Sequence, residues 1–428
     1  MPFIYFHTLG CKLNFTETST LKRIAEENGY TITSEIEKAE VIVINTCTVT
    51  QTADKKSRYS IRHLQSKNPC AKIIVTGCYA EVDSESLEKI EGISYILGNN
   101  DKAIFDEWLK KIKNEQNNNQ EEIKTSSFFK AFSLGDRTRS FLKVQDGCNY
   151  FCSYCKVPYA RGRSRNASIN EIVDQANEIA SFGIKEIVLT GINIGDFGHT
   201  TDENFFELIK ALEKNTSMER YRISSIEPNL LTNEIIDFVL SSKRFVPHFH
   251  IPLQSGCDAI LKLMQRRYDT HLFLQKIEYI KSKNDFAGIG IDVIVGFPGE
   301  TDAYFQETYE FLSQIDLSYL HVFEYSERKG TKAAGFEGKV KETEKKKRSK
   351  LLHQLSELKH RQFVDKNLNQ VRSVLIESKK SGAWLHGFSD NYIKISVPYE
   401  QQMVNNIFDV KLKFWNEETK SVLAEIVK

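Results

Sequence analysis

The sequence predicts an α/β chain in three parts: an N-terminal parallel-sheet α/β domain, a central partial or complete β/α barrel, and a C-terminal small all-β barrel. Three observations predict it. Short apolar runs alternate with amphipathic stretches over the first hundred residues. After a polar segment without apolar periodicity, six strand-like runs alternate with helical patterns. Past residue 366 single apolar residues alternate with polar ones, the period of half-buried strands.

The 428 residues suffice for two or three cores, and 40% hydrophobic with 27% charged residues excludes a disordered or fibrous chain. No long apolar run suggests a membrane span. The start MPFIYFHTLG has no basic region followed by an apolar stretch and a small-residue cleavage site, so a cytoplasmic location is expected. A formal net charge of +1 neither demands nor excludes nucleic acid. Eight cysteines without a signal peptide argue against disulfides and for metal ligands or catalytic thiols.

In the N-terminal domain, expected over 1–112, the runs FIYFH (3–7), VIVIN (41–45), KIIVTG (72–77) and YILG (95–98) read as strands of βαβ units. The first three end in TLGCKLN, INTCTVT and VTGCYAE, which place Cys11, Cys47 and Cys78 at strand C-termini. That edge of a parallel sheet is where ligand crevices form.

NEQNNNQEE marks a solvated linker, expected over 113–138. The central domain, 139–340, takes its strands from FLKVQDG, EIVLTG, YRISSIEP, FHIPLQSG, IGIDVIVGFPGE and YLHVFEYS, with a site expected at their C-terminal ends. The charged segment 341–365, with Leu351, Leu352, Leu355 and Leu358 at near-helical spacing, predicts an amphipathic connecting helix. VRSVLIES, YIKISVPY, DVKLKFW and SVLAEIV predict the β module over 366–428, a type that binds nucleic acid. Its Trp384, Tyr392, Tyr399 and Trp415 suit either stacking on RNA or a small core.

CNYFCSYC carries the chemistry: Cys148, Cys152 and Cys155 are spaced Cys-x3-Cys-x2-Cys with no fourth cysteine nearby. Structural zinc sites take four closed ligands, and ferredoxin clusters take all four irons from thiolates, so three close cysteines leave one iron open. A zinc site would need His63, His199 or Cys257 as fourth ligand, and none stands at short-range spacing to the triad. Cys70 and Cys257 lack partners and read as structural.

The triad with Tyr154 before its last cysteine resembles the signature of the radical S-adenosylmethionine superfamily. With TLGCKLN, NTCTVT, TGCYAE, IPLQSG and DVIVGFPGET, nearly the whole chain resembles the methylthiotransferase family, whose C-terminal module is a TRAM domain. The resemblance implies two [4Fe-4S] clusters, one on Cys148, Cys152 and Cys155 that makes the radical, and an auxiliary one on Cys11, Cys47 and Cys78 that delivers methylated sulfur. It implies contacts to S-adenosyl-L-methionine from Tyr154, Thr190, Gly191, Ser225, Glu227 and Gln254, although a polar residue ending a barrel strand equally serves as a helix cap.

TGINIGDFG, SSIEP, HIPLQSGCDAILKLMQRRY and HGFSDNYIKISVP resemble most the branch acting on N6-threonylcarbamoyladenosine at tRNA position 37, beside the anticodon. Partners implied are the tRNA anticodon stem-loop, an external electron donor and a sulfur source. Arg161, Arg163 and Arg165 are candidates for the substrate carboxylate, or for phosphates, or for a solvated face. The isopentenyladenosine-directed and ribosomal-protein-aspartate-directed branches share both cluster motifs. A non-enzymatic iron–sulfur or zinc protein that binds RNA and senses redox state is the alternative from another class.

Overall fold

The structure is a computed structural model that describes residues 1–113, 128–135 and 137–427. Its first five strands, β1 (Phe3–Thr8), β2 (Thr31–Ile32), β3 (Val41–Thr46), β4 (Lys72–Gly77) and β5 (Ile93–Ile96), form one parallel sheet in the order β2-β1-β3-β4-β5. β3 is buried at every residue, as a strand covered on both faces must be. Val41 and Val43 pack on one side with Leu21 and Phe105, and Ile42 and Ile44 on the other with Ile61 and Leu64. The strand order reverses between β1 and β3, which opens a crevice at their C-terminal ends.

The second part opens on β6 (Ser140–Lys143) and a ribbon of β7 (Gln145–Asp146) with β8 (Arg165–Asn166). Five further parallel strands follow: β9 (Glu186–Thr190), β10 (Arg220–Ile223), β11 (His248–His250), β12 (Gly288–Val295) and β13 (Tyr319–Glu324). Two three-stranded sheets, β10-β9-β6 and β11-β12-β13, are joined by parallel bridges Tyr221 to Phe245 and Ser225 to His250. The barrel is therefore partial, with β6 and β13 at its free edges. Alternate residues such as Leu142, Ile187, Leu189, Phe249, Ile291 and Leu320 face the helices and build the main core. The inner face is left to polar residues, among them Glu186, Arg222, His250 and Asp292.

β14 (Val371–Ser381), β15 (Trp384–Ser389), β16 (Lys394–Pro398), β17 (Ile407–Asn416) and β18 (Ser421–Ile426) close into a barrel in the order β14-β15-β16-β18-β17. This module plugs the N-terminal end of the larger barrel. Glu186, which begins β9, anchors Arg220 and Arg222, and those guanidiniums donate to the backbone carbonyls of Phe388 (3.0 Å), Asp390 (3.0 Å) and Ser389 (3.1 Å). Tyr392 stacks on His248 at 4.6 Å, and Trp415 meets His360 at 5.8 Å. Two of the four aromatics in this module are thus spent on neighbouring elements rather than offered outward.

Two expectations need correction. The linker expected over 113–138 lies largely outside the described residues, but 128–135 is packed structure: Phe129 and Ala131 are buried with the first sheet, and Phe132 bridges Leu142 of β6. The connecting helix, observed as Glu342–Asn367, buries Leu352 and Leu355 but leaves Leu351 and Leu358 exposed. Its buried stripe includes Lys345, Arg348 and Lys359, whose charges go to the Tyr325 carbonyl, to Glu300 and to the Ser313 and Ile315 carbonyls. Ser356 bonds both the N–H and C=O of Leu320, covering the edge of β13.

A buried ion network joins the first two parts. Glu17, on the helix Lys12–Glu27, receives Lys102 at 2.6 Å, Lys143 of β6 at 2.8 Å and Arg161 at 2.9 Å, all about 1% exposed. Asp146 takes Lys143 at 2.7 Å and Arg161 at 3.0 Å. Burial alone would raise the Glu17 carboxyl, but Arg161, Lys102 and Lys143 hold it well below the usual carboxylate range. Replacing Glu17 by Gln is expected to cost about 3–5 kcal/mol, because it strands buried cations. Urea unfolding followed through Trp108 fluorescence measures it. The parent's share of this stability is present at neutral pH and is lost as pH falls below about 4, toward the depressed folded-state values.

Candidate functional site

Cys11 lies three residues past β1, and Cys47 and Cys78 directly follow β3 and β4. Since these strands are neighbours, the three thiols collect along one edge of the sheet, at the reversal in strand order. Gly10 (φ +101°) and Gly77 (φ +97°) turn the chain into two of them. A Cβ on Gly10 would stand 2.7 Å from Cys47 Cβ and 2.9 Å from its Sγ, so only glycine lets the Cys11 loop lie on Cys47. Burial pushes the Cys47 thiol up to about 11 and raises Cys78 as well.

Cys148 follows Gly147, where a Cβ would meet the Arg163 carbonyl at 2.0 Å. Gln145 braces this loop. Its Nε2 donates to the Asp146 (2.9 Å) and Gly147 (2.8 Å) carbonyls and to Ser164 Oγ (3.0 Å), and its Oε1 accepts from the N–H of Ile192 (3.0 Å) and Asn193 (2.8 Å). Burial pushes Cys148 up to about 11 and Cys155 up to about 12, and raises Cys152. The nearly buried Arg266 donates to Cys152 Sγ at 3.0 Å and to Tyr268 Oη at 3.0 Å, and pairs with Glu227.

The segments that carry the two triads meet at the domain interface. The helix Cys78–Val82 packs against the helix Val157–Arg161, which begins two residues after Cys155. Arg161 reaches Asn14 Oδ1 at 2.5 Å, and that oxygen lies 4.0 Å from Cys78 Sγ. Each site thus offers three thiols with a guanidinium close by. The donor set fits an iron–sulfur cluster, which displaces the thiol protons and leaves anionic sulfur for the cation to balance. A single ion fits less well. Among the described residues, the one trio of ligand-type side chains with ligand atoms all within 4.8 Å is His250, Asp292 and His321, so the cysteine sulfurs are spread wider.

The remaining expected site residues fall around the second triad. Thr190 ends β9, and a Cβ on Gly191 would press on the Gln145 carbonyl at 2.9 Å. Tyr154 packs edge-on against Phe297, its hydroxyl 3.5 Å from Arg266. Gln254 adopts φ +71° and pairs its backbone with Asp292 and Ile294 in an isolated bridge to β12, an unusual conformation for a non-glycine residue. Ser225 Oγ lies 2.6 Å from His250 Nδ1. Arg161 must be corrected: its charge is consumed by Glu17 and Asp146, so it presents no free cation to a substrate carboxylate. Arg165 spends its guanidinium on the Arg161 carbonyl and Asp146. Arg163 is exposed, over the Phe151 ring at 4.5 Å. Asn14, Glu17, Gln145 and Arg266 went unread. Asn14 and Gln145 stand inside or beside the quoted cysteine motifs, which was the available signal.

Residues 3–98 match the model of uncharacterized protein family UPF0004, and residues 142–312 match that of the radical SAM superfamily. The chain is 37% identical over 423 residues, 96% of its length and 94% of the relative's, to threonylcarbamoyladenosine tRNA methylthiotransferase MtaB of Bacillus subtilis (strain 168). The chain belongs to the methylthiotransferase family of radical S-adenosylmethionine enzymes. It is also 37% identical to the protein of that name from Aquifex aeolicus (strain VF5), covering 92% of this chain and 96% of that one. A tRNA-2-methylthio-N(6)-dimethylallyladenosine synthase of Syntrophus aciditrophicus (strain SB) is 33% identical, covering 91% and 84%. In fold, the chain is similar to the radical S-adenosylmethionine methyltransferase TsrM from Kitasatospora setae, at TM-score 0.56 and 13% identity over 76% of this chain and 75% of that one.

Membership makes this chain a transferase that uses S-adenosylmethionine and a [4Fe-4S] cluster, and sets aside the non-enzymatic redox-sensor alternative. No helix among the described residues is long and apolar enough to cross a membrane. Arg266 beside Cys152 favours the reduced, more negative state of a cluster held there. Arg266→Met is therefore expected to shift that cluster's one-electron potential negative by about 60 mV or more, the equivalent of about 1.4 kcal/mol, in an EPR-monitored redox titration.

Proposed function

We propose that this methylthiotransferase converts N6-threonylcarbamoyladenosine at tRNA position 37 into its 2-methylthio derivative. The observation that carries the reading is the 37% identity, over nearly the whole of both chains, to relatives named for that substrate. The dimethylallyladenosine-directed relatives are less similar, at 33% and below among those compared.

On this reading Cys148, Cys152 and Cys155 hold one [4Fe-4S] cluster and Cys11, Cys47 and Cys78 a second, auxiliary one. When bound, the clusters and S-adenosylmethionine supply the deoxyadenosyl radical and the methylated sulfur. The chain's own residues do the rest. Arg266 balances charge at Cys152 and is itself fixed by Glu227 and Tyr268. Gln145 ties the Cys148 loop to the backbone after β9, which sets Thr190 and Gly191 beside it for the methionine end of the cofactor. The ion network around Glu17 holds both triads at one working distance.

The closed β module over 366–428 serves as the TRAM domain and grips the anticodon stem-loop, after the N-terminal cluster domain (1–112) and the radical domain (139–340). An external electron donor and a sulfur source complete the cycle in the cytoplasm. Nucleoside mass spectrometry of tRNA from a deletion strain tests the substrate: the 2-methylthio derivative is expected to vanish while its precursor accumulates, and its retention overturns the assignment. In reconstituted protein, alanine at either cysteine triad is expected to remove about half of the roughly eight irons of two four-iron clusters.

A further inference from the structure

The inner face of the partial barrel carries a polar group that neither cluster uses. His250 ends β11, Asp292 lies on β12 and His321 on β13. Their neighbours Phe249, Ile291, Val293 and Leu320 belong to the helix-facing core, so these three project to the opposite, inner side. Asp292 Oδ1 is 3.2 Å from His250 Nε2 and 3.3 Å from His321 Nδ1. Burial pushes the Asp292 carboxyl up, but the two imidazoles outweigh it and hold it below the usual range. His250 Nδ1 is bonded to Ser225 Oγ at 2.6 Å.

The group is built yet incomplete. His250 Nε2 is buried, and its contact with Asp292 is too poorly aligned to satisfy it as a hydrogen bond. His321 is 52% exposed, which leaves its other ring nitrogen open to a ligand. The space beneath is closed. Tyr319 Oη bonds His248 Nε2 at 2.9 Å, and Tyr392 of the C-terminal module stacks on His248. Gly290 lets Tyr319 lie across β12, since a Cβ there would meet its ring at 2.1 Å. Aromatic rings thus lie beneath the group, and its polar side chains stand along the inner face.

Its position relative to the chemistry follows from the chain. Ser225 and Glu227 are two residues apart, at most about 7 Å of backbone, and Glu227 pairs with the Arg266 that touches Cys152. A nucleoside placed for reaction at the second triad therefore has this wall within reach of a side group. The exposed Phe323, two residues past His321 on the same face, offers a ring for the base.

We propose that Ser225, His250, Asp292 and His321 form the wall that reads the polar substituent on the substrate adenine and rejects a hydrocarbon one. This rests on the substrate reading above and deepens it. A threonylcarbamoyl group carries hydroxyl, amide and carboxylate functions that can satisfy His250 Nε2 and bond the exposed ring nitrogen of His321. A dimethylallyl group would desolvate the same atoms and give nothing back.

The test uses the full chain reconstituted with both clusters, rates normalised to iron, and two synthetic anticodon stem-loops that carry threonylcarbamoyl- or dimethylallyladenosine at the modified position. His321→Leu is expected to lower kcat/KM on the first loop about 10–100-fold, mostly through KM, and on the second less than about threefold, with His321→Asn recovering part of the loss. An equal loss on both loops, or none, overturns the assignment. So does one equivalent of zinc or manganese in the parent that Asp292→Asn abolishes, which marks a metal site instead. A parent that modifies only the dimethylallyl loop overturns the function reading itself.

Discussion

The buried carboxylate of Glu17 is the constraint on which the rest of the molecule depends. It sits on the first helix of the N-terminal domain, yet two of its three cationic partners, Lys143 and Arg161, belong to the barrel. Removing any one member leaves a charge in a water-free interface, so the network behaves as a single unit. Because Arg161 ends the helix that follows the second cysteine triad, and Asn14 and Glu17 lie on the helix that follows Cys11, fixing the ions fixes the triads. The two cysteine triads are thereby positioned by charges buried at the seam rather than by the loops that carry them.

The same logic of close approach recurs in the backbone. Gly10, Gly77 and Gly147 each precede a cysteine and each adopt positive φ, and at each a Cβ would collide with the neighbouring strand or loop. Cysteines placed immediately after such turns are set by the strand ends rather than by flexible loops. Parallel-sheet topology does the gathering, and glycine permits the last few ångströms.

Much of this was legible in the sequence, because it rests on short-range pattern. Strand runs ending in cysteine identify the sheet edge, and Cys-x3-Cys-x2-Cys identifies an open cluster site, without knowledge of any long-range contact. The failures are all long-range. Arg161, Arg163 and Arg165 look alike along the chain, and only the fold sets Glu17, 144 residues away, against the first of them. Leu351 and Leu352 are equally apolar, but the helix turns Leu352 inward and spends its stripe on buried Lys345 and Arg348 whose partners lie on other elements. Arg266 reads as one more base in QRRY until Cys152, 114 residues earlier, is seen beside it.

Glu17 and Asp146 bring two negative charges to the interface, against four positive ones from Lys102, Lys143, Arg161 and the partly buried Arg165. Arg161 and Lys102 pull against the burial that raises the Cys78 thiol, so the surplus favours anionic sulfur at that edge of the sheet. The cations that tie the first two parts together therefore also set the electrostatics of the cysteine edge: one buried charge group serves both as a joint and as a wall of the site.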